Sequence, residues 1–121
     1  MKSLFLISTL LTSIAFVGCN TWKECDCSSE KVCLTVDNLS GQTASRVWIL
    51  HKNGSVGSNQ LANGSRTCLS FEGAGESSFY LSAILSNGKK VQSRLEYSEG
   101  GYKFLATIEK DTINIRDNSS Y

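Results

Sequence analysis

The chain has 121 residues, with 12 Lys and Arg against 11 Asp and Glu, so its formal net charge is only +1. This balance, without a basic stretch, excludes the charge pattern of a nucleic-acid-binding protein. Hydrophobic residues make up 40% of the sequence, which is ordinary for a globular protein. The length suits one small domain rather than two.

The first 18 residues have the pattern of an export signal. Lys2 is followed by a largely apolar run of 14 residues from Leu4 to Val17. A helix that spans a membrane needs about 20 apolar residues, whereas the core of a signal peptide needs about 7–15. The pattern therefore predicts a signal peptide over residues 1–18. Its removal would leave 103 residues, and because the signal contains one lysine and no acid, these carry no net charge.

Phe16-Val17-Gly18 directly precedes Cys19. This segment resembles the lipobox of bacterial lipoproteins, in which apolar and small residues precede an invariant cysteine. The resemblance implies that the Cys19 thiol receives a diacylglycerol, and that the chain is cut before Cys19 and acylated on its new amino group. Several acyl chains give durable anchoring, since a single chain binds a membrane only marginally. Asn20 implies sorting to the outer membrane of a Gram-negative envelope, facing the periplasm. The alternative is an ordinary cleaved leader with Cys19 as a simple thiol.

Residues 19–30 are predicted to form a polar, lipidated tether. Four more cysteines occur in or after it, an even number that predicts two disulfides in an oxidising compartment: Cys25, Cys27, Cys33 and Cys68. A bridge between Cys25 and Cys27 is disfavoured because so short a loop strains the bond. The other two pairings cannot be ranked from the sequence. A metal site is disfavoured because the spacing lacks the paired Cys-x2-Cys units of a zinc ribbon.

Residues 31–116 alternate short β runs with turns rich in Gly, Asn and Ser, and no segment has sustained helical periodicity. About seven strands are predicted, at 31–36, 45–52, 66–71, 78–85, 90–97, 102–108 and 113–115. A further short strand is expected near Val56 or Leu61. This spacing predicts an all-β, antiparallel, immunoglobulin-like β-sandwich, with a small barrel as the alternative. Residues 117–121 are predicted to form a frayed polar tail.

The clearest local signal is a hairpin. Asn87-Gly88, a strong turn pair, separates two alternating runs. In the first run one face is entirely apolar: Phe79, Leu81, Ala83 and Leu85. In the second run the same alternation predicts four inward side chains: Val91, Ser93, Leu95 and Tyr97.

Three aromatic residues are candidates for a binding face, namely Trp48, Tyr97 and Tyr102, because Tyr and Trp are favoured in interface hot spots. Sandwich cores also use such residues, and Tyr102 fits the core better. The run 45–52 is apolar on both faces, which predicts a strand that is central or covered on both sides. The loop 53–63 is a further candidate for recognition.

Signals for catalysis are weak. His51 is the only histidine, no Gly-x-Ser-x-Gly elbow occurs, and the Gly-rich stretches lack the spacing of a phosphate-binding loop. No cofactor or metal is predicted. The sequence favours a non-enzymatic binding module with a protein partner in the envelope. An inhibitor or immunity-type lipoprotein is the first hypothesis, since the body faintly resembles small periplasmic lipoproteins of that kind. A structural or accessory subunit of an envelope assembly is the second.

The lipid anchor can be tested at one atom. Replacing Cys19 with Ser removes the thiol that would be acylated, so the variant should leave the membrane fraction and lose label from radioactive palmitate. Asn20→Ser is the matched control and should retain both properties. Unchanged partitioning and labelling of Cys19→Ser would contradict the anchor.

Overall fold

A computed structural model describes residues 25, 27, 30–73 and 75–119. The predicted signal peptide and Cys19 lie outside the described residues. Those that are described contain no helix that could cross a membrane. They form nine strands: β1 (Lys31–Asn38), β2 (Ala44–His51), β3 (Gly54–Ser58), β4 (Arg66–Glu72), β5 (Ser77–Leu85), β6 (Lys90–Gln92), β7 (Glu96–Ser98), β8 (Lys103–Ile108) and β9 (Ile113–Asp117).

The strands form two sheets, which confirms the predicted all-β sandwich. One sheet has the order β4-β1-β8-β9, and the other has the order β3-β2-β5-β6, with β7 also pairing with β5. Every strand pair is antiparallel except β1 with β8. The structure has nine strands instead of about seven because β3 forms a short hairpin with β2 and because the run 90–97 divides into β6 and β7.

The inward side chains of both sheets form one hydrophobic core. Three phenylalanine rings connect the sheets across it. Phe79 on β5 lies 5.6 Å from Phe71 on β4 and 5.2 Å from Phe104 on β8, both in edge-to-face geometry. Such contacts add about 0.5–1.5 kcal/mol to the free energy gained from burial. The predicted apolar face of β5 is confirmed, because all four of its side chains are buried.

β1 is buried on both faces, although only one of its faces belongs to the core. Cys33 and Thr35 point outward, yet they are only 2% and 7% exposed. Cys25 and Cys27, which precede the strand in the sequence, contact them. Thr35 Oγ1 donates a hydrogen bond to Cys25 Sγ over 3.4 Å, and Cys25 Sγ lies 3.1 Å from the carbonyl oxygen of Leu34.

Two disulfides hold Cys25 and Cys27 in place. Cys25 bonds Cys68 with a Cα–Cα distance of 5.4 Å, and Cys27 bonds Cys33 with a Cα–Cα distance of 6.2 Å. The prediction of two disulfides is confirmed, and the structure selects one of the two pairings that the sequence left equal. Cys68 lies directly opposite Thr35 on the neighbouring strand β4, so Cys25 reaches it across the outer face of β1.

At one end of the sandwich, the fully buried side chain of Asn38 links β1 to two loops. Its Nδ2 donates to the carbonyl oxygens of Gln42 and Leu61 over 2.8 and 2.9 Å. Its Oδ1 accepts from the backbone N–H and the hydroxyl of Ser40. All the hydrogen-bonding groups of this amide are therefore satisfied, which offsets the cost of burying it.

The predicted inward positions of Leu95 and Tyr97 are wrong, because the pairing along β5 slips by one residue. Gln92 on β6 lies opposite Ser82, whereas Glu96 on β7 lies opposite Phe79. Between these two pairs, the three residues 93–95 lie opposite only two residues of β5, Tyr80 and Leu81. This two-to-three mismatch defines a β-bulge at residues 93–95. A one-residue slip exchanges the two faces of a strand. Leu95 is consequently 64% exposed and Tyr97 48% exposed.

The polar tail also differs in part from its prediction. Asp117 is the last residue of β9, and the backbone N–H of Asn118 donates to the carbonyl oxygen of Lys103 over 2.7 Å. Ser119 Oγ accepts a hydrogen bond from the backbone N–H of Lys103 over 2.9 Å. The described part of this segment therefore continues the pairing with β8 and is not frayed.

The two disulfides should differ in their effect on stability. Cys25 and Cys68 are 43 residues apart, whereas Cys27 and Cys33 are 6 apart. Because a longer loop loses more entropy on closure, replacing the first pair with alanine should cost about 4 kcal/mol and replacing the second about 2 kcal/mol. Urea denaturation of the two double variants measures this difference. Equal losses would contradict the loop-entropy explanation.

Candidate functional site

The outer face of the five-stranded sheet contains an open groove of about 590 Å³. Leu50 on β2 lies directly opposite Tyr80 on β5, and both side chains line the groove. Leu95 and Tyr97, which the bulge turns outward, complete its apolar wall. Strands β2, β5 and β7 thus present one apolar concavity on the side of the sheet that faces away from the core.

This groove concentrates the exposed apolar residues of the described structure. Four large apolar side chains are exposed among the described residues. Three of them line the groove: Leu50 at 40%, Tyr97 at 48% and Leu95 at 64%. The fourth, Leu39, lies elsewhere. Single exposed apolar residues are common on soluble proteins, but a contiguous apolar patch marks an interaction site.

Charged and polar groups surround the groove. Lys52 and Glu76 contribute to its lining. The Tyr97 hydroxyl donates a hydrogen bond to the Glu99 carboxylate, and this bond, with a smaller contribution from desolvation, raises the pKa of Tyr97 above its usual value. Tyr97 therefore remains a neutral hydrogen-bond donor throughout the physiological pH range.

Tyr102 supports the groove from beneath. Its ring lies 6.2 Å from that of Tyr97 and 6.0 Å from that of Phe104. Phe104 belongs to the core, and Tyr102 is half-buried against that core. Of the two tyrosines proposed from the sequence, Tyr97 is thus exposed at the groove and Tyr102 connects Tyr97 to the protein interior.

Trp48, the third aromatic candidate, lies on the same outer face but outside the groove. It precedes Leu50 by two residues on β2, and its register partner on the edge strand is Gly57. The Arg46 guanidinium lies 4.5 Å from the centre of the Trp48 ring, and the Lys90 ammonium lies 5.6 Å from it. Strand β2 lies between β3 and β5, which confirms the prediction of a central strand. It is not covered on both sides, because part of its outer face is exposed to solvent.

The His51 side chain packs against the aromatic ring of a core residue. Its ring stacks on Phe71 with 4.4 Å between the centroids and 13° between the planes. Its Nδ1 accepts a long hydrogen bond of 3.4 Å from the backbone N–H of Asn53. Within the described ranges, no three His, Cys, Asp or Glu side chains lie close enough together to hold a metal ion.

Sequence reasoning missed the groove, although it named Tyr97 as a binding candidate. Alternation predicts that Leu95 points inward and that Leu50 belongs to a strand that is apolar on both faces, and it gives no role to Tyr80. One available signal was the run 45–52, which is apolar on both faces, and another was Ser93, a polar residue at a predicted inward position. Its hydroxyl accepts a hydrogen bond from the backbone N–H of Leu81 over 3.0 Å, where a regular ladder would supply a carbonyl.

Comparison with known proteins supports the fold alone. No family model matches the chain, and no curated protein matches it. An NMR structure of a protein from Eubacterium rectale is similar, with a TM-score of 0.54 and 12% sequence identity. The match covers 79% of this chain and 96% of that one. The two chains thus share a fold.

The outward position of Leu95 predicts a small effect of its truncation on stability. Leu95→Ala should change the free energy of unfolding by no more than about 0.5 kcal/mol, as is usual for exposed side chains. The matched control is Leu81→Ala on β5, whose side chain is fully buried. That substitution should cost about 2–5 kcal/mol. Similar losses in urea denaturation would place Leu95 in the core and contradict the bulge.

Proposed function

We propose that this protein is a non-enzymatic binding module of a bacterial envelope, held at the membrane through Cys19, that binds another protein with the outer face of its five-stranded sheet. The observation that carries the proposal is the groove lined by Leu50, Tyr80, Leu95 and Tyr97. Exposed aromatic and aliphatic side chains around a shallow concavity are the usual composition of interface hot spots.

The bulge supports this proposal. A regular continuation of β6 would turn Leu95 and Tyr97 toward the core, where apolar side chains stabilise the fold. Instead the chain exposes both of them beside Leu50 and Tyr80. Bulges are over-represented at places where a strand must redirect a side chain for function. Burial of these four side chains against a partner would recover free energy that the folded monomer does not gain.

The position of the tether also fits binding by this face. Cys25 is bonded to Cys68 on the opposite, four-stranded sheet. From a lipid at Cys19, the six residues to Cys25 extend at most about 20 Å. A tether of this length would hold the body close to the membrane by its four-stranded side. The groove would then face away from the lipid, where a periplasmic partner can approach.

The groove should be required for capture of the partner. Leu50→Ser combined with Leu95→Ser should abolish recovery of the partner when the tagged full-length protein is purified from detergent-solubilised membranes of its source. Leu39→Ser is the matched control, since Leu39 is 61% exposed and does not line the groove. This variant should retain the partner at the level of the unmodified protein.

The identity of what is recovered separates the two functional hypotheses. A single soluble protein that is lost with the groove variant supports the inhibitor or immunity-type module. Several membrane components lost together support an accessory subunit of an assembly. Capture that is equal in the groove variant and the control would contradict a binding function for this face.

A further inference from the structure

Two cations converge on Trp48 beside the groove. Arg46 on β2 and Lys90 on β6 share one register row, with Ile84 of β5 between them. Neighbouring strands lie about 4.8 Å apart, so the two backbones are about 10 Å from each other. Both side chains nevertheless extend to the same indole ring, at 4.5 and 5.6 Å from its centre. The ring attracts each of them through its negative face.

These two cations have no carboxylate within ion-pair distance among the residues that the structure describes. Three other basic residues there do have one, namely Lys31, Arg66 and Lys89. Lys89, next to Lys90 in the chain, pairs with Asp111. Two like charges held near one ring repel each other, and an anion bound between them would relieve this repulsion.

The space beside Trp48 is lined by Arg46 and uncharged residues, whereas Lys90 reaches the indole from outside it. A cleft of about 330 Å³ lies at Arg46 and Trp48, and its other lining residues are small or uncharged, including Ser55, Gly57 and Asn59. No acidic residue lines it. A Cβ at Gly57 would lie 2.9 Å from the Cβ of Trp48, so the absence of a side chain there keeps the indole accessible from the edge strand.

We propose that Arg46 and Lys90, positioned on Trp48, bind a carboxylate of an acidic side chain in the protein partner. The inference rests on the proposed function, because the cations lie next to the groove on the same face of the sheet: Trp48 and Leu50 are alternate residues of β2. The guanidinium fork of Arg46 matches a carboxylate, which it can hold through two parallel hydrogen bonds. Charge complementarity thus specifies an acidic partner segment.

The distance between the groove and the two cations further specifies the partner segment. Alternate residues of a strand lie about 7 Å apart on one face. An extended partner segment has the same repeat. It would therefore place an apolar side chain in the groove at Leu50 and an acidic side chain two positions away beside Trp48, where the Arg46 and Lys90 side chains end. Glu76, at the groove, disfavours a second acidic residue there.

Short peptides test this specificity with the folded protein. The probe is acetyl-Ser-Leu-Ser-Glu-Ser-amide at millimolar concentration, and its matched control has Gln in place of Glu. In NMR titrations of the isotope-labelled protein, the Glu peptide should shift the Trp48 indole N–H and the backbone N–H of Leu50. It should bind about threefold to fivefold more tightly than the Gln peptide, as expected for an exposed ion pair.

Variants and a second probe locate the effect. Arg46→Gln should abolish the preference for Glu, whereas Arg116→Gln on the opposite sheet should leave it unchanged. Equal affinities of the two peptides, or absence of binding by both, would overturn the inference. Inorganic phosphate that shifts the Trp48 indole as strongly as the Glu peptide would also overturn it, in favour of a free-anion site. The proposed function is judged separately, since loss of capture by the Leu50 and Leu95 variant does not depend on Arg46.

Discussion

A single residue, Ser93, determines which side chains of the five-stranded sheet are exposed to solvent. Its backbone N–H donates to the carbonyl oxygen of Leu81 over 2.9 Å, as in a regular ladder. Its hydroxyl then accepts the N–H of Leu81 and donates to the carbonyl oxygen of Arg94 over 2.8 Å. The side chain thus replaces one backbone acceptor, the next two residues leave the ladder, and pairing resumes one residue out of register.

The consequences of this slip extend along the whole outer face. Leu95 and Tyr97 join Leu50 and Tyr80 to form one groove, and the cations on Trp48 lie next to it. Beneath the face, the phenylalanine contacts keep the two sheets together independently of the groove. The core contacts and the proposed recognition site therefore lie on opposite faces of the same strands, so substitutions on the outer face should change the proposed binding without unfolding the domain.

The two sheets also have different roles. On the outer face of β1, Cys33 is bonded to Cys27, and the hydroxyl of Thr35 donates a hydrogen bond to Cys25, which is bonded to Cys68. Cys25 and Cys27, which come before β1 in the sequence, are both bonded to strands of this sheet. The other sheet has an outer face with exposed apolar side chains and with two cations that contact the Trp48 ring. Cys25, the first described residue after the proposed anchor, and the proposed recognition site thus belong to different sheets of the sandwich.

The sequence by itself determined what depends on local periodicity. Alternation in β5 identified its buried face, Asn87-Gly88 identified the hairpin, and the even number of cysteines identified two disulfides. Alternation presumes an unbroken ladder, so it failed where the Ser93 hydroxyl replaces a carbonyl of that ladder. The pairing of Cys25 with Cys68 and the position of Leu50 and Leu95 in one groove likewise depend on which strands become neighbours. Only the tertiary structure decided these features, because register is a relation between two distant segments and neither segment encodes it alone.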